Sequence, residues 1–192
     1  SAEACFIGIV GRKRGGQQDS IYFHHSISQF EDCFRGSRYQ CINLSIRDQD
    51  IEQFFSGNPL SIKDFAGFVI RGQSFPARTI IELKNSGIPI VLLENRLQEP
   101  NINHVVCEDR ITSQKLTEHL IGRGYKSIVH VTGPKEWYNN RERLLGSRDA
   151  AEKNGMDLHV ISMPDTTVDT GAQAFEEFRK AAAFPAGAVM AN

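Results

Sequence analysis

Residues able to do chemistry cluster at a few places in this chain, and their types suit gripping a polar small molecule better than transforming one. Arg141 and Arg143 fall in what the pattern makes the first turn of a helix over 140–154. There the helix dipole disfavours a cation by roughly 0.3–1 kcal/mol. A cation set against that gradient calls for a partner. The partner is either Glu136 or Glu142, as a surface pair, or a ligand, because a guanidinium offers a planar fork of donors to adjacent hydroxyls or a carboxylate. Other polar residues directly follow short apolar runs: Glu94 and Arg96 after 88–93, Asn139 beyond 127–131, and Asn192 after 186–190. Open α/β sheets bind ligands at the carboxyl ends of their strands, so these positions and the loop 11–20 are the ones to weigh.

Other chemistries find no support. Gly11, Gly15 and Gly16 have neither the GxGxxG spacing nor a following Lys-Ser/Thr pair, so no phosphate cradle is indicated. His24 and His25 are adjacent and would point about 100° apart on a helix, which prevents them from sharing a metal. No serine sits in a nucleophile elbow, and no Cys-His pair is close in sequence. A phosphorylated receiver would need an acidic cluster after the first strand, where this chain instead has Arg12, Lys13 and Arg14. The expectation is a binding protein with no metal and no cofactor. A small α/β enzyme stays as a rival that measured turnover would select.

With 192 residues, 40% hydrophobic and 23% charged, the chain can bury a sizeable core. A net charge of -1 and a single short basic run exclude the extended cationic face that holds nucleic acid. Cys5, Cys33, Cys41 and Cys107 form no CxxC pair, and three of them lie in runs that read as buried strands. They read as free thiols, which suits a reducing cytoplasm. No apolar run nears the roughly 20 residues of a membrane span, and no secretion signal is visible. Residues 1–4 read as an artificial end.

The apolar periodicity alternates between strands and helices. Strands are expected at 5–10, 39–44, 65–70 and 88–93. Between them lie helices at 20–34, carrying Ile27, Phe30 and Phe34, a short one capped by Asp48 with Ile51, Phe54 and Phe55, and one after Pro76 with Ile80, Ile81 and Leu83. A second unit is expected to open with the run 104–107. Asp109 then caps a helix whose apolar residues are Ile111, Leu116, Leu120 and Ile121. Strands at 127–131, 158–162 and 186–190 alternate with helices at 140–154 and 171–183. This is the pattern of parallel sheets with right-handed crossovers.

The ordered segments GIPIVLLENR, HVVCEDRITSQKLTEHLIGRGYKSIVHVTGP, NNRERLLGSRDAAEKNG and AGAVMAN resemble the effector-binding core of the lactose/galactose-repressor family of transcription regulators. The resemblance implies a two-lobed periplasmic-binding-protein-like α/β fold, with parallel sheets flanked by helices. Its first lobe would span 5–103, and its second, C-terminally incomplete, 104–192. It implies effector contacts from Arg143, which with Gly133, Pro134, Asn139 and Gly146 matches the family's segment after this strand, and from Asn139 itself. Glu94 matches the family's acid, although Asn95 intrudes before Arg96. Asn192 matches the Asn of AVMAN, while Tyr22 and Phe23 fall where an aromatic often lines the pocket; a core role is the alternative for the two rings. For Asp109 a structural role as helix cap is expected, for His119 packing or a backbone bond, and for the Arg12–Arg14 loop either a solvated surface or a contact with an anionic effector.

The function implied is that of a cytoplasmic, homodimeric, ligand-controlled regulator. A sugar or related small metabolite would bind between the lobes and change operator affinity through a helix-turn-helix module absent from this chain, with no membrane partner. A solute-binding receptor of a transport system has the same lobes and is the alternative. A signal peptide encoded upstream would select it.

Overall fold

The structure is a computed structural model that describes residues 5–13, 21–47, 50–51, 53–54, 64–72, 75–97, 102–180 and 187–191; for 12–13, 21–26 and 188–191 it describes the backbone alone. Two compact units divide the chain, Ser1–Val105 and Val106–Asn192.

In the first unit, five parallel strands lie in the order β2-β1-β3-β4-β5, with β1 Cys5–Lys13, β2 Tyr39–Arg47, β3 Phe65–Arg71, β4 Ile90–Leu93 and β5 Asn103–Val105. Helices α1 (Ile21–Phe34) and α2 (Ala77–Asn85) serve as crossovers. The central strands are apolar along nearly their whole length because both faces of such a sheet are covered. Val10, Phe68, Ile70 and Leu92 are buried together with Ile80 and Leu83 from α2. Phe65 packs on Phe68 with ring centroids 4.8 Å apart, and Phe6 lies 6.5 Å from Phe65. Ile51 joins this core, and the expected apolar face Ile27, Phe30 and Phe34 of α1 is half-buried.

Several expected boundaries move. Strand β1 continues through Gly11 to Lys13, so Arg12 and Lys13 pair in register with Ile46 and Arg47 of β2 instead of opening a loop. The run 104–107 does not begin the second unit. Its first two residues belong to β5, where Asn103 and Val105 pair with Val91 and Leu93, and β5 completes the first sheet as an exposed edge. Cys107 consequently lies outside any strand and is exposed, as is Cys33, while Cys5 and Cys41 are half-buried. Burial pushes the Cys41 thiol up from its ordinary pKa, and the nearby Glu31 and Cys33 act in the same direction. The expected helix residues Asp48 and Phe55 lie outside the described residues.

The second unit has a parallel sheet in the order β7-β6-β8, from β6 Ser127–Thr132, β7 Asp157–Ser162 and β8 Ala188–Ala191. Helices α3 (Asp109–Gly122), α4 (Tyr138–Lys153) and α5 (Val168–Lys180) flank it. Helix α3 does not follow its apolar pattern. Ile111 and Leu116 are each 49% exposed, whereas Asp109, Ser113 and Thr117 are buried. The reason is the neighbour. Helix α4 meets α3 along a face of small residues, and a Cβ on Gly146 would stand 2.0 Å from the carbonyl oxygen of Arg110. At such close approach small polar side chains fit where Ile and Leu do not. Among the described residues no helix is long and apolar enough to cross a membrane.

Candidate functional site

The carboxyl end of β6 runs into Gly133 and Pro134, and a tight turn closed by the Trp137 N–H donating to the Pro134 carbonyl (3.1 Å) starts α4 at Tyr138. This start is two residues earlier than the sequence pattern suggests. Arg141 and Arg143 therefore stand fourth and sixth in the helix, beyond the turn in which the dipole acts most strongly. Asn140 is buried at 2% exposure, and its side-chain amide donates to the Pro134 carbonyl at 3.1 Å. A Cβ on Gly133 would lie 2.5 Å from Thr166 Cγ2 and 2.6 Å from Asn140 Nδ2, so a residue without a side chain is required there. Asn139, the expected contact, is half-buried, and its Oδ1 accepts from the Asn140 backbone N–H at 2.9 Å. Asn140, which residue type and spacing do not single out from its neighbours, braces the turn.

Arg143 donates from Nε to Oδ1 of Asp109 at 2.7 Å. The arginine side chain is 35% exposed and the aspartate 8%. This corrects two expectations. Asp109 is the first residue of α3 and not its cap, since the N-cap is Glu108 and makes no side-chain cap bond. The partner of Arg143 is neither Glu136 nor Glu142; it is Arg141 that lies 3.5 Å from Glu142, and its guanidinium also sits 5.7 Å from the Tyr138 ring centroid. No local sequence signal marks the pair, because its two residues lie 34 positions apart on different helices and Glu136 and Glu142 are nearer acids. A single short, charge-assisted bond through Nε orients the guanidinium and leaves its η nitrogens as donors to a third party.

Further pairs run along the same two helices. Arg110 reaches Asp149 at 2.7 Å, and Lys153 reaches Glu118 at 3.2 Å. The Glu118 carboxyl is held below its ordinary pKa, first by the hydrogen bond from Gln114 and then by Lys153. At the carboxyl side of β7, Thr167 and Thr170 cap α5 reciprocally: Thr170 N donates to Thr167 Oγ1 (3.1 Å) and Thr167 N to Thr170 Oγ1 (2.7 Å). His119 is an exposed residue of α3, near its carboxyl end.

In the first unit, Glu94 follows β4 directly with φ 59°, the left-handed region that a residue with a side chain enters at a cost of about 1 kcal/mol or more. Its backbone N–H donates to Val105 O at 2.8 Å. Strain of this kind at the carboxyl end of a strand is a common companion of ligand sites. Asn95, the residue that interrupts the family pattern, is buried at 4% exposure, and Arg96 is exposed. Tyr22 and Phe23 belong to α1, but their side chains lie outside the described residues, as do Arg14 and Asn192. Among the described residues no group of three His, Cys, Asp or Glu side chains could hold a metal.

The family of periplasmic binding proteins and sugar-binding domains of the LacI family matches residues 48–191. The chain belongs to it, and its α/β fold of parallel sheets flanked by helices is the one the sequence led us to expect. Catabolite control protein A of Staphylococcus xylosus is 24% identical over 165 residues, which cover 84% of this chain and 50% of that protein. The transcriptional regulator CelR of Thermobifida fusca is 30% identical over 99 residues, covering 50% of this chain and 29% of that one. Among solved structures, the Cra transcriptional dual regulator of Pseudomonas putida, in complex with fructose 1-phosphate, has a TM-score of 0.81 at 15% identity, covering 97% of this chain and 68% of that chain. The chain spans about half the length of the curated relatives it matches. Of these proteins, CelR and Cra are transcriptional regulators.

Proposed function

We propose that this chain is the effector-sensing core of a cytoplasmic, homodimeric transcription regulator, and that its effector is a sugar or a related small metabolite such as a sugar phosphate. The observation that carries this reading is Arg143, tethered through Nε to Asp109 and otherwise partly exposed, in the helix that follows β6. Family membership and the regulators among its relatives support it. Arg143 contributes η-nitrogen donors to hydroxyls or a phosphate. Asn139 lies one turn before it on α4, Glu94 contributes a carboxylate at the end of β4, and Tyr22, Phe23 and Asn192 are further candidates for contact. An effector acts by binding one conformation of the intact regulator better than another, and a helix-turn-helix module outside this sequence converts that difference into operator affinity.

The test is thermal unfolding against hexoses, pentoses and their phosphates, fructose 1-phosphate included. A saturable rise in Tm is expected for some member, worth about 2.7 kcal/mol at a hundred times its Kd. In Arg143→Ala the rise, measured from that variant's own Tm, disappears. A panel that leaves Tm unchanged, or a response that survives in Arg143→Ala, overturns the reading.

A further inference from the structure

The seam between α3 and α4 contains a buried polar chain that the proposed site does not use. His130, in the middle of β6 and fully buried, places Nδ1 2.9 Å from the Ser147 hydroxyl on α4. Ser147, also fully buried, lies 2.8 Å from the Ser113 hydroxyl on α3, and Thr117 donates its hydroxyl to the Ser113 carbonyl at 2.9 Å. Burying three polar side chains in a helix seam costs more than filling it with apolar groups unless they are bonded, and when bonded they select one arrangement over its neighbours.

The arrangement selected here is visible in the spacing. Asp109 and Ser113 are four residues apart on α3, and Arg143 and Ser147 four apart on α4, so the ion pair and the hydroxyl pair form successive rungs between the helices. Gly146 lies between the rungs on α4, where the backbones meet too closely for any side chain. A slip of one turn would set Ser113 against Arg143 and leave Asp109 without its cation. His130 ties the second rung to the strand whose carboxyl end leads into Gly133 and Pro134.

We infer that His130 and Ser147 are positioning residues for Arg143: the chain from imidazole to Ser147 to Ser113 fixes the register of α3 and α4, and thereby holds the guanidinium on Asp109. The value of that placement rests on Arg143 being an effector contact, but its test needs no ligand.

The Nε–H of Arg143 gives its own signal in 15N-resolved NMR, and its exchange with water reports directly on the bond to Asp109. In Ser147→Ala, which removes one atom and is expected to fold, that exchange should quicken by about tenfold, the equivalent of one neutral hydrogen bond. His130→Leu should do the same, and His130→Asn, which keeps a polar atom on Cγ at the place of Nδ1, should restore slow exchange. The triple variant His130→Leu/Ser113→Ala/Ser147→Ala separates positioning from packing. Removing all three partners leaves no hydroxyl of the chain orphaned and returns global stability close to that of the unmodified chain, while Arg143 exchange stays fast. If exchange is unchanged in Ser147→Ala, or follows global stability through all four variants, the inference fails. The proposed function would fail separately, on the sugar panel.

Discussion

The first unit buries Val10, Phe68, Ile70 and Leu92 at 0–2% exposure along three adjacent strands, and its helix α2 adds Ile80 and Leu83 to the same core. The central strand of the second unit buries His130 and Thr132 as deeply as Ile128 and Val129. Its main helix pair buries Asp109, Ser113 and Thr117 on one side and Gly146, Ser147, Ala150 and Ala151 on the other. Apolar contact is non-directional and stabilises any arrangement that excludes water, whereas short hydrogen bonds between small residues stabilise one register. The two units thus share a plan of parallel strands and crossover helices but differ in what their packing specifies. Around Arg143 and Asp109 the packing is polar and tight.

The contrast is broken most severely at Gly146. In Gly146→Val even the first added carbon would stand 2.0 Å from the Arg110 carbonyl, a backbone atom that cannot turn away. The helices must part, and both rungs open. A loss of about 4 kcal/mol or more is expected in urea unfolding, at the exceptional end for a single substitution. Amide exchange should place the damage in α3 and α4. A loss below about 1 kcal/mol would mean that the seam is loose.

In the first unit the comparable variant is Leu92→Ala, which removes a fully buried side chain from the apolar core. The expected cost is about 3 kcal/mol, from lost burial and an incompletely collapsed cavity. Here the neighbours can relax, so the loss should be smaller than at Gly146. The reverse order would sink the contrast between a tolerant core and an exacting seam.

Leu116→Ser sharpens the point with a null effect. Helical periodicity puts Leu116 on the buried face, but the structure leaves it 49% exposed. The substitution should change stability by no more than about 0.5 kcal/mol. A cost near 2 kcal/mol would reinstate the apolar reading of α3.

That misreading shows what could be taken from the sequence and what could not. Strands β1, β3, β4 and β6 were legible because both of their faces are covered and they appear as continuous apolar runs. The sequence singled out Arg143 through its place after β6 and through the family resemblance, but not the partner it has in the structure. Asp109 lies 34 residues away on another helix, and nothing local distinguishes an acid that caps a helix from one that reaches across a seam. The relay was illegible for the same reason, since His130, Ser147 and Ser113 join only through packing that a helix with two exposed apolar residues conceals. The left-handed backbone at Glu94 carries no signature in residue type. Strand β5 was assigned to the wrong sheet because a three-residue exposed edge has no periodicity of its own.

The smallest effect tests the outermost of these pairs, Lys153 on Glu118. The Glu118 carboxyl is held below its ordinary pKa by the Gln114 hydrogen bond and then by Lys153. A depressed pKa in the folded state means that the folded chain binds this proton less readily than the unfolded chain does. The resulting stabilisation is therefore present above the ordinary carboxylate pKa, and it is lost as pH falls through the lower folded value. In Lys153→Met the Glu118 titration, followed by carboxyl 13C shifts, should move up toward the ordinary range but stop short of it, because Gln114 stays in place. The stability difference between the two proteins should be slight at neutral pH, shrink further with added salt, and vanish in acid. A Glu118 titration that does not move would remove Lys153 from the seam and leave the register of α3 and α4 to the buried rungs alone.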